Sequence, residues 1–228
     1  MSEVQNTHQQ NIDMDLQLVD TEIMRRQAEH AAEISLQLGR VAMDYSRVER
    51  VPRYDTESRE SDVEHSFMLQ LVAVELAETY FPELDSGLVA RFSGVHDLPE
   101  LLSGDVPTFH TNKEMLRKKD LAEQMAVKNL EMILPPHTYA LLLRYEKQKE
   151  PEARLVRFID KLLPIIVDIH GPGLMVLKED YNVETLAEYL DADEKQADRC
   201  KSMFPEEDFA LIHEVRTVLS NMFAKDFK

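Results

Sequence analysis

Apolar residues recur at three- and four-residue intervals along most of this chain, and no stretch alternates apolar with polar for long enough to predict a strand. Ile23, Ala31, Ile34, Leu38, Val41 and Tyr45 share one broad face of a helix over 20–45, capped by Asp20 or Thr21. Residues 1–15 are polar and aperiodic, which predicts a flexible arm. After the charged connection Pro52–Glu60, the run Ser61-Asp62-Val63-Glu64 is a capping box that opens a helix to about Tyr80. Phe81-Pro82 closes it, and Asp85 or Ser86 caps a further helix through about Leu102, ahead of a turn at Gly104-Asp105-Val106-Pro107. A polar helix over about Lys113–Leu134 stops at Pro135-Pro136, and helices follow over Thr138–Lys149 and Pro151–His170. Gly171-Pro172-Gly173 breaks the pattern, and the tail supplies helical segments near 183–189 and 206–223. The expectation is an all-α helical bundle, one compact domain over 16–228 with a flexible N-terminal arm.

Composition narrows the function classes. The 228 residues carry a formal charge of −17, which repels nucleic-acid polymers. No apolar run reaches the roughly 18 residues of a membrane span, and the acidic N-terminus lacks a signal-peptide pattern, so a cytoplasmic protein without membrane contact is expected. The single cysteine, Cys200, makes no internal disulfide, and nothing around it marks a nucleophile. A small anionic substrate remains compatible with the charge where a metal or local arginines reverse the field.

Three apolar stripes are interrupted by groups that are costly to bury. His65 lies in line with Leu69, Val72 and Leu76; His96 follows Leu88, Phe92 and Val95, with Asp97 beside it; Asp160 sits between Val156 and Leu163. A lone histidine on such a face is most often a satisfied core residue, but a buried carboxylate needs a partner. One divalent cation would satisfy all four groups together, and their N/O donor set suits manganese, cobalt, iron, nickel or magnesium.

The pair His96-Asp97, the upstream Glu64-His65-Ser66 and the downstream Ile159-Asp160-Lys161-Leu162 resemble the H…HD…D pattern of the HD-domain metal phosphohydrolases. Within them, His96–Thr108 (HDLPELLSGDVPT) resembles the bacterial 5′-deoxynucleotidases, the likeness covering about 35–165 and leaving a helical C-terminal extension. The resemblance implies His65, His96, Asp97 and Asp160 as ligands of one divalent ion. It implies Glu100 and Asp105 as the carboxylates that handle the attacking water, and Val106, Pro107 and Thr108 as the segment lying along the substrate beside Asp97 and Asp160. It also implies a phosphate-orienting arginine about 15 residues before the first histidine; that is Arg50, with Arg47 one helical turn earlier. Those deoxynucleotidases place a tryptophan beside this arginine to exclude the ribose 2′-hydroxyl, and this chain has none. His110 and His137 read as loop or capping residues, and the run Leu116–Lys119 as a solvated face.

The activity implied is release of orthophosphate from (deoxy)nucleoside 5′-monophosphates by a small-molecule enzyme that commonly forms homodimers. The rival readings are a (d)NTP triphosphohydrolase or pyrophosphohydrolase of the same fold, a dinuclear-iron HD oxygenase, and a non-catalytic helical binding protein.

Overall fold

A computed structural model describes residues 2–106, 109, 113–203 and 209–227, with side chains from Asp20 onward and without that of Lys113. The chain divides into two units, Met1–Val41 and Ala42–Lys228. The first is most of helix α1 (Ser2–Tyr45), so the helix expected from Asp20 begins at Ser2. Its described polar surface carries short-range pairs such as Arg25 with Glu22 (2.9 Å), the kind that supports a helix by a few tenths of a kcal/mol.

The second unit is built from α2 (Asp62–Tyr80), α3 (Ser86–Ser93), α4 (Glu100–Ser103), α5 (Lys113–Asn129), α6 (Pro136–Glu146), α7 (Pro151–Asp160), α8 (Leu163–His170), α9 (Gly173–Tyr181), α10 (Leu186–Met203) and α11 (Ala210–Phe223). The all-α expectation holds. Its core forms where α2 packs on α3 and α7. Leu69 and Ala73 of α2, Val89 and Phe92 of α3 and Leu155, Val156 and Ile159 of α7 all lie there with no exposed surface. Burying a leucine or isoleucine of this kind contributes about 2 kcal/mol. A second cluster, Ile165, Leu177, Val183, Tyr189 and Phe223, ties α8 and α9 to the C-terminal helices.

Several boundaries differ from the sequence expectation. The charged connection folds as an antiparallel hairpin, β1 (Glu49–Arg53) with β2 (Arg59–Ser61). Its buried positions are Arg50, Pro52 and Glu60, so the inward face carries no apolar alternation to read. The helix expected from Asp85 to Leu102 ends at Ser93. Gly94 weakens it, and Pro99 cannot donate to a preceding carbonyl; residues 95–99 continue as tight i→i+3 turns such as Val95 N–H to Phe92 O (3.1 Å). The helix expected over 151–170 breaks after Asp160, because Pro164 has no N–H for the Asp160 carbonyl. The tail contains α9, which lacked a recognised start, and an α10 far longer than 183–189, because its surface is polar almost all round.

Candidate metal centre

The capping box forms as the sequence predicts. Ser61 N–H and Oγ both bond to Glu64 Oε2 (2.9 and 2.7 Å), and Glu64 N–H returns to Ser61 Oγ at 3.4 Å. That fixed start places His65 on the inner face of the first turn of α2, where it has no exposed surface. The i→i+3 turns after α3 bring His96 and Asp97 beside it, and the last residue of α7 brings Asp160.

One nitrogen or oxygen from each of His65, His96, Asp97 and Asp160 lies within 4.8 Å of the others. His65 Nε2 is 2.9 Å from Asp160 Oδ1 and His96 Nε2 is 3.0 Å from Asp97 Oδ2; the crossed pairs are both at 3.9 Å. His96 Nδ1 faces Ser93 O at 2.9 Å. A carbonyl can only accept, so Nδ1 carries the proton and Nε2 presents its lone pair to the cluster. That Nε2 is buried and has no hydrogen-bond partner. An orphaned imidazole lone pair facing two carboxylates and a second imidazole fits a divalent cation.

Electrostatics agrees. Burial opposes charge on Asp97, but the neighbouring His96 and Arg50 outweigh it and hold the carboxyl well below its usual range. Asp160, more deeply buried, is held low by Lys161 and His65. Burial and Arg50 disfavour a proton on His65, yet its contacts with Asp160 and Glu60 raise it to about 9. Four converging groups therefore compete for the protons between them, a conflict that a metal ion removes.

Glu100 and Asp105 border the same space. Glu100 is 3% exposed; Lys119 Nζ meets its Oε1 at 3.0 Å and Arg50 Nη1 its Oε2 at 3.4 Å. Burial, helped by Asp97, pushes its carboxyl up to about 10. Gly104 adopts φ +72°, a conformation that side-chain-bearing residues avoid, and turns the chain so that Asp105 lies 3.8 Å from Lys119. Lys119 also donates to Val106 O at 2.8 Å, which ties this segment to α5.

The structure does not bring every candidate together. Arg47 is exposed and bonded to Asp44 at 2.7 Å, so it borders neither the ligands nor the cavity. Its position follows the end of α1, where the chain turns before β1. Arg50 is buried against the cluster. Pro107, Thr108 and His110 lie outside the described residues.

Three groups escaped the sequence reading. Glu60 and Asp62 have no exposed surface and flank the capping serine, where acidic residues read as ordinary helix-start or loop residues. Lys119, expected in solvent, is only 13% exposed. The signal for it was available: Leu116, Lys119, Glu123, Ala126 and Leu130 follow one another at alternating three- and four-residue steps, and the last two are buried.

His96, Asp97 and Asp160 form part of the wall of a cavity of about 330 Å³, within the range of small-molecule sites. Arg50, Glu100, Asp105, Val106 and Lys119 border it as well. Its lining contains nine carboxyl side chains and six arginines or lysines; burial keeps Glu100 and Asp168 protonated near neutral pH, which leaves the charges nearly balanced.

The fold is similar to solved structures. A predicted metal-dependent phosphohydrolase from Magnetospirillum magnetotacticum MS-1 aligns with a TM-score of 0.64 and 24% identity, over 86% of this chain and 92% of that one. Proteins from Pyrococcus horikoshii OT3 and Pyrococcus furiosus each align with a TM-score of 0.52 and 22% identity, over 80% and 82% of this chain and 98% of theirs. Among curated proteins no sequence matches. No helix among the described residues is long and apolar enough to cross a membrane. The HD domain family model matches residues 46–203, the stretch that supplies all four converging side chains. The chain belongs to the HD domain family.

Proposed function

We propose that the protein is a metal-dependent phosphohydrolase that releases orthophosphate from (deoxy)nucleoside 5′-monophosphates. The observation that carries this reading is the convergence of His65, His96, Asp97 and Asp160, the last three on the wall of a substrate-sized cavity, with His96 Nε2 buried and unpartnered. A divalent cation held by these four would supply Lewis acidity there, polarising a phosphoryl oxygen and acidifying water. The protein's own side chains would do the rest. Asp105 orients the water, and Glu100 moves a proton between the water and the leaving 5′-oxygen. Arg50, Lys119 and Lys161, each in contact with a ligand or with Glu100, offset charge on the phosphate.

The relative from Magnetospirillum, described as a predicted metal-dependent phosphohydrolase, and the likeness of His96–Thr108 to the 5′-deoxynucleotidases support the reaction class. Charge supports the monophosphate. A triphosphate brings about two further negative charges into a lining that holds no excess of cations to meet them. Without a tryptophan beside Arg50, ribose and deoxyribose substrates are both expected to turn over.

The test incubates metal-loaded protein separately with dAMP, AMP and dATP and identifies the products. Nucleoside and orthophosphate from dAMP and AMP are expected. Tripolyphosphate from dATP with no turnover of either monophosphate would overturn the reading.

A further inference from the structure

Arg50 sits where a cation is called for. Its Nη1 lies 3.1 Å from Asp62 Oδ1, 2.9 Å from Asp97 Oδ2 and 3.4 Å from Glu100 Oε2. Its Nε is 3.3 Å from Glu60 Oε2. Asp62, Asp97 and Glu100 each offer an oxygen within 4.8 Å of the other two, and Asp97 belongs to this group and to the four-residue centre. One nitrogen thus contacts all three carboxyl groups, two of them buried and Asp97 partly so, beside the candidate metal centre.

We propose that the Arg50 guanidinium fills a second cation position and so confines the protein to one metal ion per chain. The inference rests on the reading of His65, His96, Asp97 and Asp160 as metal ligands. An all-oxygen donor set of three carboxylates is the chemistry that magnesium or manganese takes. Unpaired, those carboxylates would repel one another strongly in a buried site. A guanidinium offsets negative charge there at any working pH, since arginine keeps its proton. An arginine serving only to orient phosphate would keep its donors clear for the cavity. Here Nη1 and Nε both face protein carboxylates, leaving Nη2 as the nitrogen not engaged in these ion pairs.

The hairpin holds Arg50 in this place. Arg59 of β2 donates to the Arg50 carbonyl at 3.3 Å, and Glu60, the next residue of β2, meets its Nε. Asp97 Oδ2 is shared, 3.0 Å from His96 Nε2 and 2.9 Å from Arg50 Nη1. Removing the guanidinium therefore opens a carboxylate-lined position directly beside the first.

The full-length chain is stripped with a chelator and dialysed against manganese, and bound metal per chain is measured by mass spectrometry. One ion is expected in the wild type, two in Arg50→Met, and one again in Arg50→Met/Asp62→Asn. Paramagnetic resonance should show an isolated manganese ion in the wild type and a spin-coupled pair in Arg50→Met. A folded Arg50→Met that still holds one ion would overturn the inference while leaving the four-ligand centre standing. A wild type that holds none would overturn both. Should Arg50→Met fail to fold, manganese-soaked crystals of the wild type decide. An anomalous peak at the four-ligand centre alone, with the guanidinium between Asp62 and Glu100, supports the inference. A second peak between those two carboxylates overturns it.

Discussion

His65 and Asp160 stand 95 residues apart in the chain, yet His65 Nε2 lies 2.9 Å from Asp160 Oδ1 with both side chains buried. Substituting either one by alanine is expected to abolish metal retention and turnover together, because each change removes a ligand and leaves the other group unpaired. Elemental analysis of the purified variants reads the first loss. Full activity with unchanged metal content in either variant would refute the assignment.

The same pair predicts a proton release. Its contacts with Asp160 and Glu60 keep His65 protonated up to about pH 9 in the metal-free protein, whereas a ligand imidazole must be neutral. Manganese uptake at pH 7 should therefore expel about one proton from His65. Titration calorimetry in buffers of different ionisation enthalpy measures it, and a buffer-independent heat would contradict it. The sign also fixes the stability of the metal-free state. The raised pKa contributes stability fully below about 6.5, the unfolded value, and that contribution disappears as pH rises through 9.

Glu100 touches Lys119 and Arg50 and belongs to none of the four-ligand contacts. Glu100→Gln is expected to bind one ion as the wild type does and to lose turnover by about 10²–10⁴-fold, the usual range for a proton-transfer group. Parallel measurement of metal content and kcat separates the two. A matching loss of metal would make Glu100 a ligand instead.

Asp168 borders the cavity, and burial, with Glu60 nearby, raises its carboxyl to about 8. The folded state then holds a proton that the unfolded chain releases near pH 4, so Asp168 lowers stability progressively as pH rises from about 4 to 8. Asp168→Asn removes that penalty. The variant should match the wild type near pH 4 and exceed it by at least about 1 kcal/mol at pH 8.5 in denaturant melts. Equal stability at both pH values would refute the assignment.

Much of the site and less of its setting could be read from the residues. The four candidate ligands interrupt apolar stripes, and the capping box fixes the start of α2, so both are legible as local patterns. The hairpin is not, because its inward positions are Arg50, Pro52 and Glu60, and a strand that buries charge has no apolar alternation. The break between α3 and α4 was equally hidden: Phe92, Val95 and Leu98 are all buried and keep an apolar rhythm through the tight turns. Arg47 and Arg50 look equivalent by spacing. Only the turn after α1 distinguishes them, leaving the first exposed and the second among four carboxylates.

Gly171 connects the hairpin to the bundle. A methyl group built there would approach Arg53 O to 2.2 Å and Val167 O to 3.0 Å, both backbone atoms. Gly171→Ala must push β1 away from α8, at a cost of about 1–3 kcal/mol. Because Arg50 is on the displaced strand, its grip on Asp62 and Asp97 should loosen too. Thermal melts measure the first effect. Faster backbone amide exchange across 49–61 reports the second, and wild-type behaviour in both would refute the contact.

The end of α3 also has consequences for time. A helix continued through Asp97 would bond that residue's N–H to the Ser93 carbonyl; here the helix stops at Ser93, and the carbonyl meets His96 Nδ1 instead. Half of the centre is thereby prepared by a contact spanning three residues, available to the chain early in folding. The other half waits for α2 to dock on α7, among the slower contacts to close because the intervening chain is long. An ion that needs both halves can grip only the finished bundle. Bound there, it would lengthen the lifetime of the folded protein many-fold and leave the speed of refolding nearly untouched.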